Sequence, residues 1–127
     1  MSHNTEPIDT TRLRDLLKSI ATFTDIPLRF YALGGTALTL LNLKPSTLDV
    51  DINIDTKKEY DYVITLFEQL GFEKKGNIRW YAQDGLAFDL FYGSYILGTD
   101  LLPDALEKAT LIDVFDNIAL YTLCLED

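Results

Sequence analysis

The chain of 127 residues predicts an α+β fold of two layers, a mixed β-sheet with helices packed on one face. Three observations predict it. Stretches with the 3.6-residue apolar period of helices alternate with strand-like runs through the first half. The second half carries almost only strand and hairpin signals. No internal repeat, linker or low-complexity segment divides the chain, so one domain over residues 1–127 is expected.

The first eight residues are polar and are expected to fray. Asp9 or Thr10 can then cap a helix running to about Phe23, in which Leu13, Leu16, Leu17 and Ile20 fall on one face. Pro27 imposes extended geometry on what precedes it, and Leu28–Leu33 reads as a strand. Gly34-Gly35 punctuates that strand, and Thr36–Leu43, rich in Leu and Ala, reads as a short helix. A loop at Lys44-Pro45-Ser46 leads to a strict period-2 alternation. Leu48, Val50, Ile52 and Ile54 share one face; Asp49, Asp51 and Asn53 share the other. Asp55 or Thr56 can cap the next helix, which aligns Tyr60, Val63, Ile64, Phe67 and Leu70 and stops at Gly71. Short strands follow at Phe72–Lys74, Ile78–Ala82 and Leu86–Tyr92, the last two flanking the hairpin signal Gln83-Asp84-Gly85. Pro103–Lys108 reads as one or two helical turns. Leu111–Phe115 and Ile118–Leu123, joined by Asp116-Asn117, read as a second hairpin.

Composition narrows the function. Apolar residues at 47% and charged residues at 24% are those of an ordinary globule. One cysteine, Cys124, cannot close an internal disulfide, and it reads as a small apolar filler. One histidine, His3, excludes a His-centred triad or a multi-His metal cluster. Lys+Arg 11 against Asp+Glu 20 gives a net charge of −9, which opposes non-specific DNA binding. There is no apolar run of membrane-spanning length, and the polar, acidic start lacks a secretory pattern, so a cytoplasmic protein without membrane contact is expected.

Asp49 and Asp51 depart from this background. Aspartate is depleted inside strands, because its short polar side chain favours turns. Two of them at i and i+2 point the same way about 7 Å apart. Asp89 interrupts Leu86–Phe91 on the face it shares with Ala87 and Phe91, and it joins the pair if the two strands are neighbours. Three carboxylates at one point repel unless a cation or protons compensate, and hard oxygen donors suit Mg²⁺ or Mn²⁺. The alternative is a half-exposed sheet whose outward aspartates serve solubility or edge protection. Gly34-Gly35-Thr36 adds a second feature. At a strand-to-helix turn it gives phosphate access to backbone N–H groups and a hydroxyl, whereas a plain tight turn would leave it without chemistry. Gly35 precedes Asp49 by fourteen residues, close enough for one βαβ-like unit to bring both features together.

Read together, Leu33-Gly34-Gly35-Thr36, Asp49-Val50-Asp51 and Phe88-Asp89-Leu90 resemble the signature of the nucleotidyltransferase-fold (polymerase-β-like) superfamily. Thr47 fits its Thr-x-Asp-x-Asp form. Gly34–Leu38 and Leu70-Gly71-Phe72 are similar to uncharacterised minimal nucleotidyltransferases of archaea and bacteria, relatives of antitoxin and abortive-infection types. The resemblance implies that Asp49, Asp51 and Asp89 hold the metal ions, with Asp89 also orienting an acceptor hydroxyl. Gly34, Gly35 and Thr36 would grip a nucleoside triphosphate. An NMP group would pass to a small molecule, a protein or an RNA end, with release of pyrophosphate.

Two departures from the family pattern stand in the sequence. Lys44 is the nearest cation where relatives often carry Arg, and the apolar, Lys-containing helix that follows in relatives has no counterpart after Thr122–Asp127. From the small size and high acidity, the alternative expectation is a catalytically weak binding module that pairs with another protein, as in a toxin–antitoxin couple, or with itself. Trp80, Tyr81, Tyr92 and Tyr95 could stack on a base but fit sheet packing better. Lys57-Lys58 and Lys74-Lys75 read as solvated pairs, and Asp100, Asp104 and Asp113 as loop or cap residues.

Overall fold

A computed structural model describes residues 7–93, 95–96, 99–100 and 109–122. The expected turn at Pro103–Lys108 lies outside them, as do His3, Cys124, Leu123, Asp104 and the side chains of Tyr95 and Asp100.

Chain chemistry sets the element boundaries. Asp9 accepts a hydrogen bond from the Arg12 N–H at 2.9 Å and so caps helix α1 (Thr10–Thr22). Strand β2 (Leu28–Ala32) follows Pro27. Helix α2 (Gly34–Leu40) opens directly on the two glycines, two residues earlier than the sequence predicts. After strand β4 (Asp49–Ile54), Thr56 caps helix α3 (Lys57–Gln69) by accepting from the Glu59 N–H. Gly71, at φ +84, ends that helix in the left-handed conformation expected of a helix stop. Strands β5 (Glu73–Lys75), β6 (Arg79–Tyr81) and β7 (Ala87–Tyr92) form antiparallel pairs, with Gln83-Asp84-Gly85 as the loop between β6 and β7. Strands β10 (Thr110–Phe115) and β11 (Ile118–Thr122) form the second hairpin, turning where Asp116 takes φ +50.

Seven strands make one mixed sheet in the order β10-β11-β2-β4-β7-β6-β5. Strand β4 sits in the middle, antiparallel to β2 and parallel to β7. Its helix-side residues Val50, Ile52 and Ile54 join Phe30, Phe88, Leu90 and Trp80 in a core that Leu13 and Leu17 of α1, Leu40 of α2 and Val63 and Phe67 of α3 complete. The helices therefore cover one face of the sheet, as the period-2 and 3.6-residue patterns predict. On the opposite face a small cluster of Tyr31, Leu33 and Phe91 packs with Tyr121, whose ring stacks on Tyr31 at 5.0 Å.

Three expectations are corrected. Residues 7–8 do not fray: Ile8 is fully buried and pairs with Thr47, so strand β1 (Ile8–Asp9) and strand β3 (Ser46–Thr47) form a two-stranded sheet. Burial of one isoleucine in the core outweighs the polarity of its neighbours. Ser46 accordingly belongs to a strand and not to a loop. Leu48 does not share the core face with Val50; it sits in the bend between β3 and β4 and is 60% exposed. A further two-stranded pair, β8 (Tyr95–Ile96) with β9 (Thr99–Asp100), had no sequence signal. Trp80 packs edge-on against Phe67 at 5.8 Å, so its expected role in packing is the one observed.

Candidate active site

The register of the central strands assembles the site. Strand β4 pairs with β7 so that Asp51 lies beside Asp89, and β7 pairs with β6 so that Asp89 lies beside Arg79. One row across three strands thus reads Asp51, Asp89, Arg79. Asp49 stands two residues before Asp51 on the same face. Carboxylate oxygens of Asp49, Asp51 and Asp89 all lie within 4.8 Å of one another. The reading of these residues as dispersed solvent-face aspartates is therefore wrong for this protein: they converge, and Asp89 is only 9% exposed.

Convergence has an electrostatic consequence. Burial, with Asp49 and Asp89 alongside, pushes the Asp51 carboxyl up to about 7 from its usual 3.8, against the pull of Arg79. Arg79 compensates part of the remaining charge. Its Nε donates to Asp89 Oδ1 at 2.7 Å and its Nη2 to Asp89 Oδ2 at 2.8 Å, a two-pronged contact. The same Nη2 reaches Asp49 Oδ2 at 3.0 Å. Hydrogen bonding to Asp89 holds the guanidinium well above its ordinary pKa. Sequence reasoning missed Arg79. The signal was nonetheless present, because a three-residue hairpin loop at Gln83-Asp84-Gly85 places Arg79 opposite Asp89.

The glycine turn borders this cluster. Gly34 has φ +50, a conformation that L side chains rarely adopt, and a Cβ there would come 3.7 Å from Asp51 Oδ2. A Cβ on Gly35 would come 3.1 Å from Thr47 Oγ1 and 3.2 Å from Lys44 Nζ. Position 35 is thus a close-approach point, with the Lys44 ammonium folded over bare backbone. Thr36 departs from expectation. Its hydroxyl is fully buried, donates to the Asp49 carbonyl at 3.2 Å and accepts from the Asp51 N–H at 2.8 Å. That hydroxyl ties α2 to the backbone of both aspartates and so cannot also donate to phosphate. Thr47 Oγ1 donates to the same Asp49 carbonyl at 3.0 Å. Asn53, the third polar residue of the β4 row, is fully buried and donates through Nδ2 to the Gly93 carbonyl at 2.9 Å.

The donor set fits a hard divalent cation. Three carboxylates from two adjacent strands meet closely, burial and the two neighbouring carboxylates raise the pKa of the third, and among the described residues no sulfur or imidazole takes part.

No family model matches the chain, and no curated protein matches its sequence. A solved structure from Thermotoga maritima, described as "a putative nucleotidyltransferase", superposes with a TM-score of 0.63 over 98% of this chain and 84% of that one, at 16% identity. The nucleotidyltransferase-like fold implied by the motifs is therefore the fold observed.

Proposed function

We propose that the protein is a divalent-metal-dependent nucleotidyltransferase acting on a nucleoside triphosphate. The observation that carries this reading is the convergence of Asp49, Asp51 and Asp89 beside the left-handed Gly34. The likeness in fold to the Thermotoga maritima protein is consistent with it.

In this reading Asp49, Asp51 and Asp89 hold Mg²⁺ or Mn²⁺. The metal supplies charge neutralisation and Lewis-acid polarisation of phosphate oxygens. The protein's own groups do the rest. Gly34 and Gly35 give the triphosphate access to the backbone next to the carboxylates, and Lys44, whose ammonium overhangs Gly35, meets its negative charge. Thr36 and Thr47 fix the Asp49 and Asp51 main chain, so that the carboxylates stay positioned as the charge develops. Asp89 orients the acceptor hydroxyl. The hydroxyl oxygen forms a new bond to the α-phosphorus, the α–β bridging bond breaks, pyrophosphate departs, and the hydroxyl proton passes to a carboxylate of the cluster. The acceptor class is a small molecule, a protein hydroxyl or an RNA end.

The test uses α-labelled nucleoside triphosphates with Mg²⁺ or Mn²⁺ and a cell extract as the acceptor source. Label transfer that needs the metal and falls at least ~100-fold in Asp49→Asn is expected. Equal transfer by Asp49→Asn, or no triphosphate binding in the presence of Mg²⁺, contradicts the reading.

A second reading, a module that acts by pairing with another protein or a second copy, is favoured by the exposed Leu38, Leu41 and Leu43 on and just beyond α2, with Leu48 in the bend between β3 and β4. Sedimentation of the intact chain tests it, and a strict monomer across the concentration range counts against self-association.

A further inference from the structure

The geometry points to Arg79 as a resident counter-ion that occupies the shared oxygen positions of Asp49 and Asp89 and is exchanged for the divalent ion. This inference rests on the metal-dependent reading above.

A single atom carries the argument. Arg79 Nη2 lies 3.0 Å from Asp49 Oδ2 and 2.8 Å from Asp89 Oδ2, so it bridges the two carboxylates as a shared cation would. Nε takes the second oxygen of Asp89 at 2.7 Å. Mg²⁺ binds oxygens at about 2.0–2.1 Å with near-octahedral demands. An ion on those same oxygens competes with the guanidinium for their electron density, and two positive groups a few ångströms apart repel strongly in a partly buried site. An ion seated between Asp49 Oδ2 and Asp89 Oδ2, where Nη2 now lies, therefore displaces Nη2.

The surroundings permit that departure without a change in the sheet. Trp80, 2% exposed and packed against Phe67, pins the neighbouring backbone of β6 in the core. The Arg79 side chain itself is 38% exposed, on the opposite face of the strand. Exchange thus needs rotation of one long side chain on a fixed strand, with no change in the fold. The arrangement also explains why a strand of three residues places an arginine against this pair. Without it, the cluster would keep three acidic groups with no positive partner among the described side chains that the structure shows in contact with them.

The experiment measures Mn²⁺ affinity by the free-ion electron paramagnetic resonance signal, with thermal melts in EDTA and in Mn²⁺, for wild type, Arg79→Lys and Arg79→Gln. Exchange predicts that Arg79→Gln melts lower in EDTA, binds Mn²⁺ about tenfold or more tightly than wild type, and gains more melting temperature from the ion. Arg79→Lys, a point charge without the fork, is expected between the two. Equal or weaker Mn²⁺ binding by a folded Arg79→Gln overturns the exchange while leaving the metal reading intact; absence of Mn²⁺ binding in every form overturns both. A measurement on wild type alone covers the case in which a variant fails to fold. The Arg79 Nε–H resonance, sheltered by its bond to Asp89, is expected to shift or vanish as Mg²⁺ saturates the Asp51 amide signal. An Arg79 resonance unmoved at saturation shows that the guanidinium stays and overturns the exchange.

Discussion

Asp51 carries a free-energy penalty that burial imposes first and the neighbouring Asp49 and Asp89 increase. A carboxyl raised to about 7 in the folded chain keeps a proton that the unfolded chain releases near 3.8. The folded state therefore binds more protons between those values, and stability from this group falls as pH rises from about 4 to about 7, then levels. Two outcomes follow. In EDTA, Asp51→Asn is expected to be more stable than wild type at pH 8, by on the order of 1 kcal/mol, and to lose that advantage at pH 4; urea melts at the two pH values check it. Mn²⁺ affinity of wild type is expected to climb with pH up to about 7, because the ion must displace the Asp51 proton. At this scale the sequence was informative where residue type clashed with its setting. Two aspartates inside an ideal strand are such a clash. Arg79 was less legible, because an arginine in an exposed-looking strand is ordinary until the hairpin register sets it opposite Asp89.

Elements hold the site through a few buried polar ties. Thr36 joins the first turn of α2 to β4 with one donated and one accepted hydrogen bond. Thr36→Val keeps the shape, takes the acceptor from the Asp51 N–H and leaves the Asp49 carbonyl to Thr47 alone, and is expected to cost about 1–3 kcal/mol in denaturant melts while weakening Mn²⁺ binding. A second tie lies at the start of α3. Glu59, 8% exposed, accepts from the Arg29 N–H at 2.9 Å, from Arg29 Nη2 at 2.6 Å and from the Thr56 hydroxyl at 2.8 Å. Burial alone would raise its carboxyl, yet the bonds from Arg29 and Thr56 win and hold it below the usual value. Its stabilisation is therefore present above the unfolded pKa and lost as pH falls through the lower folded one. Glu59→Ala is expected to cost about 2 kcal/mol at pH 7, discounted for the partial exposure of Arg29, and less at pH 3, as read from urea melts. Element types and caps were legible because they are local. Asp9, Thr56, Gly71 and the Gln83-Asp84-Gly85 loop each act within a few residues. Strand β1 was not legible, since the partner that buries Ile8 lies far along the chain at Thr47.

At the scale of the molecule, the decisive fact is strand order. Placing β4 between β2 and β7 brings the glycine turn to one side of the aspartate pair and Asp89 to the other. No local pattern encodes that order; it follows from long-range packing of one apolar sheet face against three helices, which is why periodicity left the neighbour of β4 open and the resemblance in motifs implied only that Asp89 joins Asp49 and Asp51. The N-terminal pair of strands belongs to this packing. Ile8→Ala is expected to cost about 2–4 kcal/mol by leaving a cavity beside Leu13 and Leu17, whereas a frayed terminus would show no loss in a thermal melt. No helix among the described residues is long and apolar enough to cross a membrane.

Calorimetric titration of Mg²⁺, with a non-hydrolysable nucleoside triphosphate present, into wild type and Asp51→Asn tests the central claim most directly. A saturable heat in wild type that disappears in the folded variant is the predicted result. The same heat in both proteins, or none in either, would contradict the claim that these three carboxylates form a metal-dependent nucleotide site.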